Sequence, residues 1–434
     1  MADSSQASVD LNVFQKLESD VRSYCRSYPI MFCRSKGSLM YSEQGKEYID
    51  FLSGAGSLNY GHNNDYIKQS IVDYLASDGI IQGLDLHTTA KATFLQTFAE
   101  RVLEPNDLDY KVQFCGPTGT NAVEAALKLA RKATGRLNVF AFMGSYHGLS
   151  LGSLALTSDA RLRSAGGVPL SYVQFMPYPH SGPLNIDSIA YMDAILSDTH
   201  SGTQVPAAII FESIQCEGGI NVAPIEWLKD LRSLCDRHGI LLICDDIQVG
   251  CGRTGPFFSF TKAGIMPDIV ALSKSISGYG LPMSLLLIRR DLDIWSPGEH
   301  TGTFRGNQLA FVGATAALEY RESINLAAAV QSKEAFLVNL LHELLITKID
   351  NIEIRGLGLV WGIDFSRRGG SNTTEKIMNC CTERGLILER CGRSKSVIKI
   401  LPSLTIPEAL LEKGCRILAQ SVYEAEHSVA RSTF

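Results

Sequence analysis

The stretch PIEWLKDLRSLCDRHGILLICDDIQ (224–248) decides the fold class of this chain. Its first part has the apolar spacing of a helix, with Pro224 near the start and Gly239 just past the end, as is common at helix termini. Its second part is an apolar run of strand length, which predicts a strand buried on both faces. A helix followed at once by such a strand is the repeating unit of an α/β domain.

The same alternation continues through the middle of the chain and predicts a mainly parallel sheet. Further strand patterns are YKVQFCGP (110–117), LNVFAFMG (137–144), VPAAIIFESI (205–214), PDIVALS (267–273) and MSLLLIRRD (283–291), and a second helical pattern is TNAVEAALKLARKATG (120–135). After about residue 330 the pattern changes to a long helix, paired strands at 352–365, a helix, strands at 386–401 and a closing helix. We therefore predict a large α/β domain (76–330), a smaller α+β domain (331–434), and an N-terminal segment (1–75) that belongs to the small domain.

Composition and charge exclude several classes of function. The 434 residues carry a net charge of −5 with scattered Lys and Arg, so no basic surface for nucleic acid or an anionic membrane is expected. The first twenty residues lack the basic and apolar regions of a signal peptide, and no later run approaches the ~18 apolar residues of a spanning helix. Eleven cysteines without framework spacing argue for reduced thiols, and the close pair Cys380 and Cys381 cannot supply a metal site. We expect a cytoplasmic protein without a metal.

A loop between a strand and a helix has the residues of a phosphate site. In FCGPTGTNAVEAALKLAR (114–131), Gly119 and Thr120 stand where free backbone N–H groups and the positive helix end suit an anion. A plain glycine turn capped by Thr118 or Thr120 is the structural alternative.

Two further strand ends carry polar residues. Tyr146 and His147 stand among small residues just after a strand, a position that by itself is typical of a loop or core aromatic. Asp245 and Asp246 end the strand LLICDD and point to opposite sides of the chain, so one of them faces inward. A buried aspartate needs a cation or several donors, and Asp245 therefore needs a partner, with Arg253 or a turn as the structural alternative to a ligand.

Lys274 follows the apolar strand PDIVALS, at the end where the strands of open α/β sheets line the ligand crevice. A phosphate cradle, an aromatic ring, an inward aspartate and a lysine at strand ends match the needs of pyridoxal phosphate. That cofactor requires an amine for its Schiff base, a carboxylate that keeps the pyridine nitrogen protonated, and a phosphate site. The sequence therefore predicts Lys274 as the imine-forming lysine.

The chain also resembles the class III, or ω-type, aminotransferases of fold type I over nearly its whole length. The resemblance rests on DDIQVGCGRTG (245–255), PDIVALSKSISGYGLP (267–282) and GTFRGNQLA (302–310), which occur in the family's order and spacing. It implies a cofactor site of Lys274 on the Schiff base, Asp245 on the pyridine nitrogen, Gln248 on the ring hydroxyl, Ile247 and Tyr146 on the ring faces, Gly119 and Thr120 on the phosphate, and Thr303 on the phosphate of the neighbouring subunit. It thus implies a homodimer with shared active sites.

The resemblance further implies where substrates bind and where this chain departs from its relatives. Glu217 matches the family's acidic residue near the substrate, and Glu212 an earlier structural acid. Ornithine-type members use a tyrosine and an arginine where this chain has Ala55 and Leu149, which disfavours ornithine. Lys399 replaces the arginine that usually binds the 2-oxoglutarate carboxylate. A compact ammonium therefore takes the place of a planar guanidinium, which can bind a carboxylate through two parallel hydrogen bonds.

One branch of the family, the diaminobutyrate:2-oxoglutarate aminotransferases with the ectoine-pathway enzyme among them, shares these departures. The chain is similar to that branch through ESDVRSYCRSYP (18–29), DFLSGAGSLNYGHNN (50–64), GLDLHTTAK (83–91) and HTGTFRGNQLAFV (300–312). The resemblance implies exchange of the 4-amino group between L-2,4-diaminobutyrate or L-aspartate 4-semialdehyde and glutamate or 2-oxoglutarate. The alternatives are another class III ω-amino acid transaminase, a pyridoxal phosphate enzyme of altered reaction type in a secondary-metabolite pathway, and a cofactor-free homologue.

Overall fold

The computed structural model describes residues 11–179 and 186–430. The strands, in chain order, are β1 (Phe32–Lys36), β2 (Leu39–Ser42), β3 (Glu47–Asp50), β4 (Tyr110–Phe114), β5 (Val139–Phe142), β6 (Val173–Met176), β7 (Ala208–Phe211), β8 (Ile214–Gln215), β9 (Asn221–Val222), β10 (Leu241–Asp245), β11 (Ile269–Leu272), β12 (Leu285–Arg289), β13 (Glu353–Leu357), β14 (Val360–Asp364), β15 (Leu386–Ile387), β16 (Glu389–Cys391) and β17 (Val397–Ile400).

The helices connect these strands and cover their faces. In chain order they are α1 (Asn12–Leu17), α2 (Tyr24–Ser27), α3 (Ser53–Gly56), α4 (Asp65–Ala76), α5 (Thr89–Phe98), α6 (Gly119–Thr134), α7 (Leu151–Leu156), α8 (Ala160–Ser164), α9 (Ser188–Ser197), α10 (Ile225–His238), α11 (Gln308–Ser323), α12 (Leu326–Leu341), α13 (Gly370–Glu383) and α14 (Glu408–Ala430). None of the described helices combines the length and apolarity needed to cross a lipid bilayer.

Seven of the described strands form the central sheet, in the order β4-β12-β11-β10-β7-β5-β6. Strand β12 runs antiparallel to β4 and β11, and the other neighbours pair in parallel. The predicted mainly parallel α/β sheet is thus confirmed, and every strand predicted for it from an apolar run is present. The edge strand β6 was missed, because it is short and only partly buried.

Both faces of this sheet are covered by apolar side chains. Along β10, Leu242 and Cys244 pack into a cluster with α10 and α11, while Leu241 and Ile243 pack into a second cluster with α6. A strand covered on both sides needs apolar residues at every position, which is why these strands read as continuous hydrophobic runs. Helix α10 also ends where the sequence predicts. Its C-cap residue, Gly239, adopts the left-handed conformation with a φ of 57°.

The last part of the chain forms a smaller α+β unit that also includes the first strands. Strands β13, β14, β17 and β16 make an antiparallel sheet, and β15 pairs in parallel with β3 to complete a second sheet with β1 and β2. Helices α12, α13 and α14 share one apolar cluster with Phe51 from the N-terminal segment. The boundaries at residues 75 and 330 stay a prediction, to which the pairing of β3 with β15 lends support.

Candidate active site

The carboxyl ends of β10 and β11 bring Asp245 and Lys274 to one edge of the sheet. The two strands are parallel, with Asp245 opposite Ala271, three positions before Lys274. Lys274 itself begins a 3-10 turn and has a φ of 52°, a left-handed conformation that is uncommon for a residue with a Cβ. Such backbone outliers cluster at functional sites, because only a surrounding structure that overdetermines them keeps them in place.

A cavity of about 320 Å³ opens at this edge. Its walls contain most of the predicted site residues, namely Gly119, Thr120, Tyr146, Glu217, Asp245, Ile247, Gln248 and Lys274, together with Glu212 and Leu149. Two predicted residues lie outside these walls. Thr303 sits in an exposed 3-10 turn, and Lys399 is fully buried behind Glu217.

The first turn of α6 lies at the cavity wall. Neither capping alternative is present. Oγ1 of Thr118 accepts from the Asn121 side chain at 2.7 Å and from no backbone N–H of the helix, and the Thr120 hydroxyl lies 2.5 Å from that of Ser150. The first N–H groups of a helix have no intrahelical acceptor, so those at Gly119 and Thr120 are available to a phosphate. A Cβ built on Gly119 would lie 2.9 Å from Cδ1 of Ile247, so a larger residue here would displace the Ile247 side chain.

Asp245 is held by a histidine that sequence reasoning did not assign to the site. Its Oδ2 lies 2.7 Å from Nδ1 of the buried His147, and its Oδ1 accepts a hydrogen bond from the backbone N–H of Ile247 at 3.2 Å. The alternative pairing with Arg253 is absent, since that guanidinium donates to the carbonyl of Leu359 at 3.0 Å. Both carboxylate oxygens of Asp245 are therefore fixed at the cavity wall.

The neighbouring carboxylate, Asp246, faces away from the cavity, as strand alternation predicts. It is fully buried and accepts hydrogen bonds from the hydroxyl (2.5 Å) and backbone N–H (3.2 Å) of Ser259. Burial raises the pKa of Asp246 to about 7, against the opposing effect of these hydrogen bonds. The two adjacent aspartates thus have separate surroundings, one at the cavity and one in the core.

The Lys274 amine stands in the cavity without a fixed partner. Within the described residues it makes no hydrogen bond or ion pair. Burial lowers the pKa of Lys274 below its ordinary value, and the negative charge of Glu217 opposes this only in part. A desolvated amine of lowered pKa is a better nucleophile near neutral pH, as a Schiff-base lysine must be.

The remaining walls place an aromatic ring and an amide beside this amine. The backbone N–H of Tyr146 donates to Oε2 of Glu212 at 3.2 Å, and burial, followed by the charge of Asp245, raises the pKa of Glu212 well above its ordinary value. Nε2 of Gln248 donates to the carbonyl of Ala55 at 3.1 Å, while its Oε1 is buried without a partner. A buried acceptor without a donor is rare and indicates a missing group.

Three charged side chains meet beside the cavity. Nζ of Lys399 lies 2.6 Å from Oε1 of Glu217 and 2.8 Å from Oε2 of Glu389. Burial opposes the charge of Lys399, but the two carboxylates raise its pKa well above the ordinary value. Burial likewise opposes ionisation of Glu217, yet Lys399 lowers the pKa of Glu217 to about 2. Lys399 and Glu217 are therefore both charged. Counted by formal charge, two carboxylates and one ammonium give the cluster one net negative charge.

These observations fit pyridoxal phosphate. The free N–H groups of α6 suit its phosphate, the unpaired Lys274 amine suits its aldehyde carbon, and the fixed carboxylate of Asp245 suits its pyridine nitrogen. The unsatisfied Oε1 of Gln248 suits a hydroxyl donor such as the one on the ring. By contrast, the described residues contain no group of three or more His, Cys, Asp or Glu side chains arranged to hold a metal ion.

Comparison with known proteins agrees with the fold and the site. Residues 23–422 match the class III aminotransferase family, and the chain belongs to that family. It is a pyridoxal phosphate-dependent enzyme. The diaminobutyrate–2-oxoglutarate transaminase of Bordetella parapertussis is 50% identical over 420 residues, which are 96% of each chain. The protein of the same name from Streptomyces coelicolor is 50% identical over 418 residues, 96% of this chain and 98% of the relative.

Solved structures share the architecture. An ornithine aminotransferase from Toxoplasma gondii superposes with a TM-score of 0.83 at 24% identity, covering 96% of this chain and 94% of the other. A transaminase from the marine bacterium Virgibacillus gives a TM-score of 0.86 at 18% identity, covering 96% and 99%. At such identities the likeness concerns the fold alone, and it confirms the predicted fold type I architecture.

Proposed function

We propose that this aminotransferase exchanges the 4-amino group of L-2,4-diaminobutyrate with 2-oxoglutarate, giving L-aspartate 4-semialdehyde and glutamate, and that it also catalyses the reverse. Relatives with that name are 50% identical over nearly the whole chain. The observation that carries the proposal is the charge pattern of the site. Lys274 is the only Lys or Arg that lines the cavity within the described residues, and Lys399 stands behind Glu217. An uncharged Leu149 occupies the position of the ornithine-type arginine.

Each residue that would contact the cofactor has a separate role. Pyridoxal phosphate, when bound, supplies an electrophilic carbon and a ring that accepts electrons from the substrate. Lys274 would hold this carbon through its amine and, once released from it, would move a proton to and from the substrate at Nζ. Asp245, held in place by His147, would face the ring nitrogen, and the N-terminus of α6 would hold the phosphate. Tyr146 and Ile247, which both line the cavity, would lie against the ring.

Lys399 is the cation that receives the distal carboxylate of glutamate and 2-oxoglutarate. It is fully buried, and Glu217 lies between it and the cavity. The Glu217 side chain keeps 26% of its surface exposed, so it has room to turn. When it turns away, a substrate carboxylate takes its place on the Lys399 ammonium.

The enzyme acts as a homodimer in which Thr303 of each subunit contacts the phosphate of the other site. Thr303 is exposed in the single chain, in the turn that packs against Leu84. Large apolar side chains nearby are also exposed, namely Ile80, Ile81, Leu84, Leu86 and Phe304. An exposed apolar group of this kind marks an interaction surface, and a second copy would bury it. All eleven cysteines are free thiols, which supports a reducing compartment and so a cytoplasmic location.

Half-reaction spectroscopy tests the substrate. The holoenzyme is mixed separately with diaminobutyrate, ornithine, lysine, 4-aminobutyrate and β-alanine, and the cofactor absorbance change gives kcat/KM for each donor. We expect diaminobutyrate to exceed the others, with aspartate semialdehyde as the product of 4-amino transfer. A better rate with ornithine would overturn the substrate assignment and leave the aminotransferase assignment in place.

A further inference from the structure

Lys399 has a second carboxylate partner, Glu389, which the substrate assignment above does not use. Glu389 and Lys399 are directly opposed in the antiparallel pair β16 and β17, so their side chains share one face. Oε2 of Glu389 lies 2.8 Å from Nζ of Lys399, and its Oε1 accepts a hydrogen bond at 3.1 Å from the hydroxyl of Tyr24 in α2. Glu389 is therefore held from two sides, with only 14% of its side chain exposed.

The two carboxylates bind Lys399 differently. Oε1 of Glu217 accepts a well-aligned hydrogen bond from Nζ. Oε2 of Glu389 is buried and receives no aligned hydrogen bond, although the same ammonium is close. Since a buried carboxylate oxygen without a donor is costly, it is a ready acceptor for one of the three Lys399 protons. A small rotation of the ammonium transfers its hydrogen bond from Glu217 to Glu389.

The substrate presents matching groups. When the 4-amino group of diaminobutyrate is at the reacting centre, its other end carries a carboxylate and a 2-ammonium group. A lone lysine recognises only the carboxylate, whereas the cluster of Glu217, Lys399 and Glu389 has one net negative charge and attracts the ammonium as well. The closest comparison is 4-aminobutyrate, which differs from diaminobutyrate only by lacking that 2-ammonium group.

We propose that the Glu217–Lys399–Glu389 cluster is a subsite for the zwitterionic end of an α-amino acid, and that Glu389, held by Tyr24, determines the specificity. Lys399 binds the substrate carboxylate, Glu217 at the cavity wall accepts the substrate ammonium, and Glu389 remains as the counter-ion of Lys399. Without Glu389, Glu217 is the only counter-ion of a fully buried lysine and stays bound to it. This inference rests on the proposed function and identifies the residue that separates diaminobutyrate from 4-aminobutyrate.

The test compares Glu389→Gln and Tyr24→Phe with the wild type and with a control variant, Glu375→Gln. Glu375 is an exposed carboxylate in α13 that pairs with Arg390, the neighbour of Glu389 in β16. For each holoenzyme, half-reactions with diaminobutyrate, 4-aminobutyrate and glutamate give Kd and the limiting rate separately. In Glu389→Gln we expect the preference for diaminobutyrate over 4-aminobutyrate to fall about tenfold, the effect of one hydrogen bond to a charged group. The Kd of glutamate should rise, by a smaller factor than that of diaminobutyrate, because Glu217 stays on Lys399 and yields less readily to the distal carboxylate.

Tyr24→Phe should shift the same preference in the same direction by a smaller factor, and Glu375→Gln should leave it unchanged. Tyr24 is half-exposed, so this variant tests the proposal independently of how well Glu389→Gln folds. An equal loss for all three substrates, or an unchanged ratio in both variants, would overturn the specificity role. A wild type without any preference for diaminobutyrate over 4-aminobutyrate would instead contradict the proposed function itself.

Discussion

Nδ1 of His147 lies 2.7 Å from Oδ2 of Asp245, and both side chains are buried at the edge of the central sheet. The other oxygen of Asp245 accepts the N–H of Ile247, so the carboxylate has no freedom to turn from the cavity. The next residue, Asp246, has similar chemistry but is directed at Ser259 in the core. The sheet thereby separates two adjacent aspartates into one at the cavity wall and one in the core.

The first prediction concerns this pair of aspartates. Asp245→Asn should retain part of the pyridoxal phosphate but lose most turnover, because a neutral amide no longer stabilises the protonated ring nitrogen. Asp246→Asn is the matched control, one residue away on the opposite face, and should keep its turnover. Cofactor absorbance and kcat of the two purified variants provide the measurement. Equal activity in both variants would contradict the role assigned to Asp245.

The second prediction concerns the Schiff base. The purified protein should be yellow, and reduction with borohydride should attach the cofactor to the peptide that contains Lys274. Lys274→Ala should remove both the adduct and the turnover, whereas Lys262→Ala, an exposed lysine twelve residues earlier, should keep both. Peptide mass spectrometry locates the adduct. Its presence on any other lysine would rule out the assignment.

The fold and the centre of the site could be predicted because their signals are local. Strands covered on both faces are continuous apolar runs, and Lys274 and Asp245 each directly follow such a run. His147 and Glu389 were missed because their roles depend on contacts across the sequence. His147 meets Asp245 across 98 positions, and Glu389 meets Lys399 only through the register of β16 and β17. A single sequence does not give that register.

Lys399 is a further residue whose spatial neighbours the sequence does not give. The resemblance to class III aminotransferases implies that it is the cation for a substrate carboxylate, and that role stays a proposal. The sequence does not show that two carboxylates already surround the ammonium, so the expected anchor is paired before any substrate arrives. Spatial neighbours, rather than residue type, decide how much of its charge a substrate meets.

The third prediction concerns this lysine. Lys399→Met should weaken glutamate and 2-oxoglutarate by about 1.5–3 kcal/mol, the range for a hydrogen bond to a charged group. It should also lower stability, since Glu217 and Glu389 would be left as partly buried like charges without a cation. Lys333→Met, a partly buried lysine that donates to the carbonyl of Leu404, is a control for the loss of an ammonium elsewhere. An unchanged 2-oxoglutarate KM in Lys399→Met would contradict the anchor role.

The fourth prediction concerns the shared site. Lys274→Ala and Thr303→Ala each disable a different half of a composite site, if Thr303 acts across the subunit interface. Mixing and refolding or co-expressing the two inactive proteins should restore part of the activity, because hybrid dimers contain one site with both native residues. Activity at equal protein concentration and the sedimentation of the mixture provide the measurement. A fully active monomer would exclude shared sites.

The last prediction is a pH dependence of stability that comes from Asp246. Its pKa in the folded protein is about 7, above the ordinary 3.8, because the side chain is buried. The native state therefore binds more protons than the unfolded state between these values, and the contribution of Asp246 to stability is present below about pH 4 and is lost as the pH rises through 7.

Asn at this position has no proton to lose, and its Oδ1 can still accept one of the two hydrogen bonds that Ser259 donates to Asp246. The free energy of unfolding of Asp246→Asn, relative to the wild type, should therefore rise between pH 4 and pH 8, by up to about 4 kcal/mol. Urea unfolding of both holoenzymes across this range gives the difference at each pH, and Asp230→Asn, on the exposed face of α10, controls for the loss of a carboxylate. A difference that is constant with pH would mean that Asp246 ionises as readily in the core as in water.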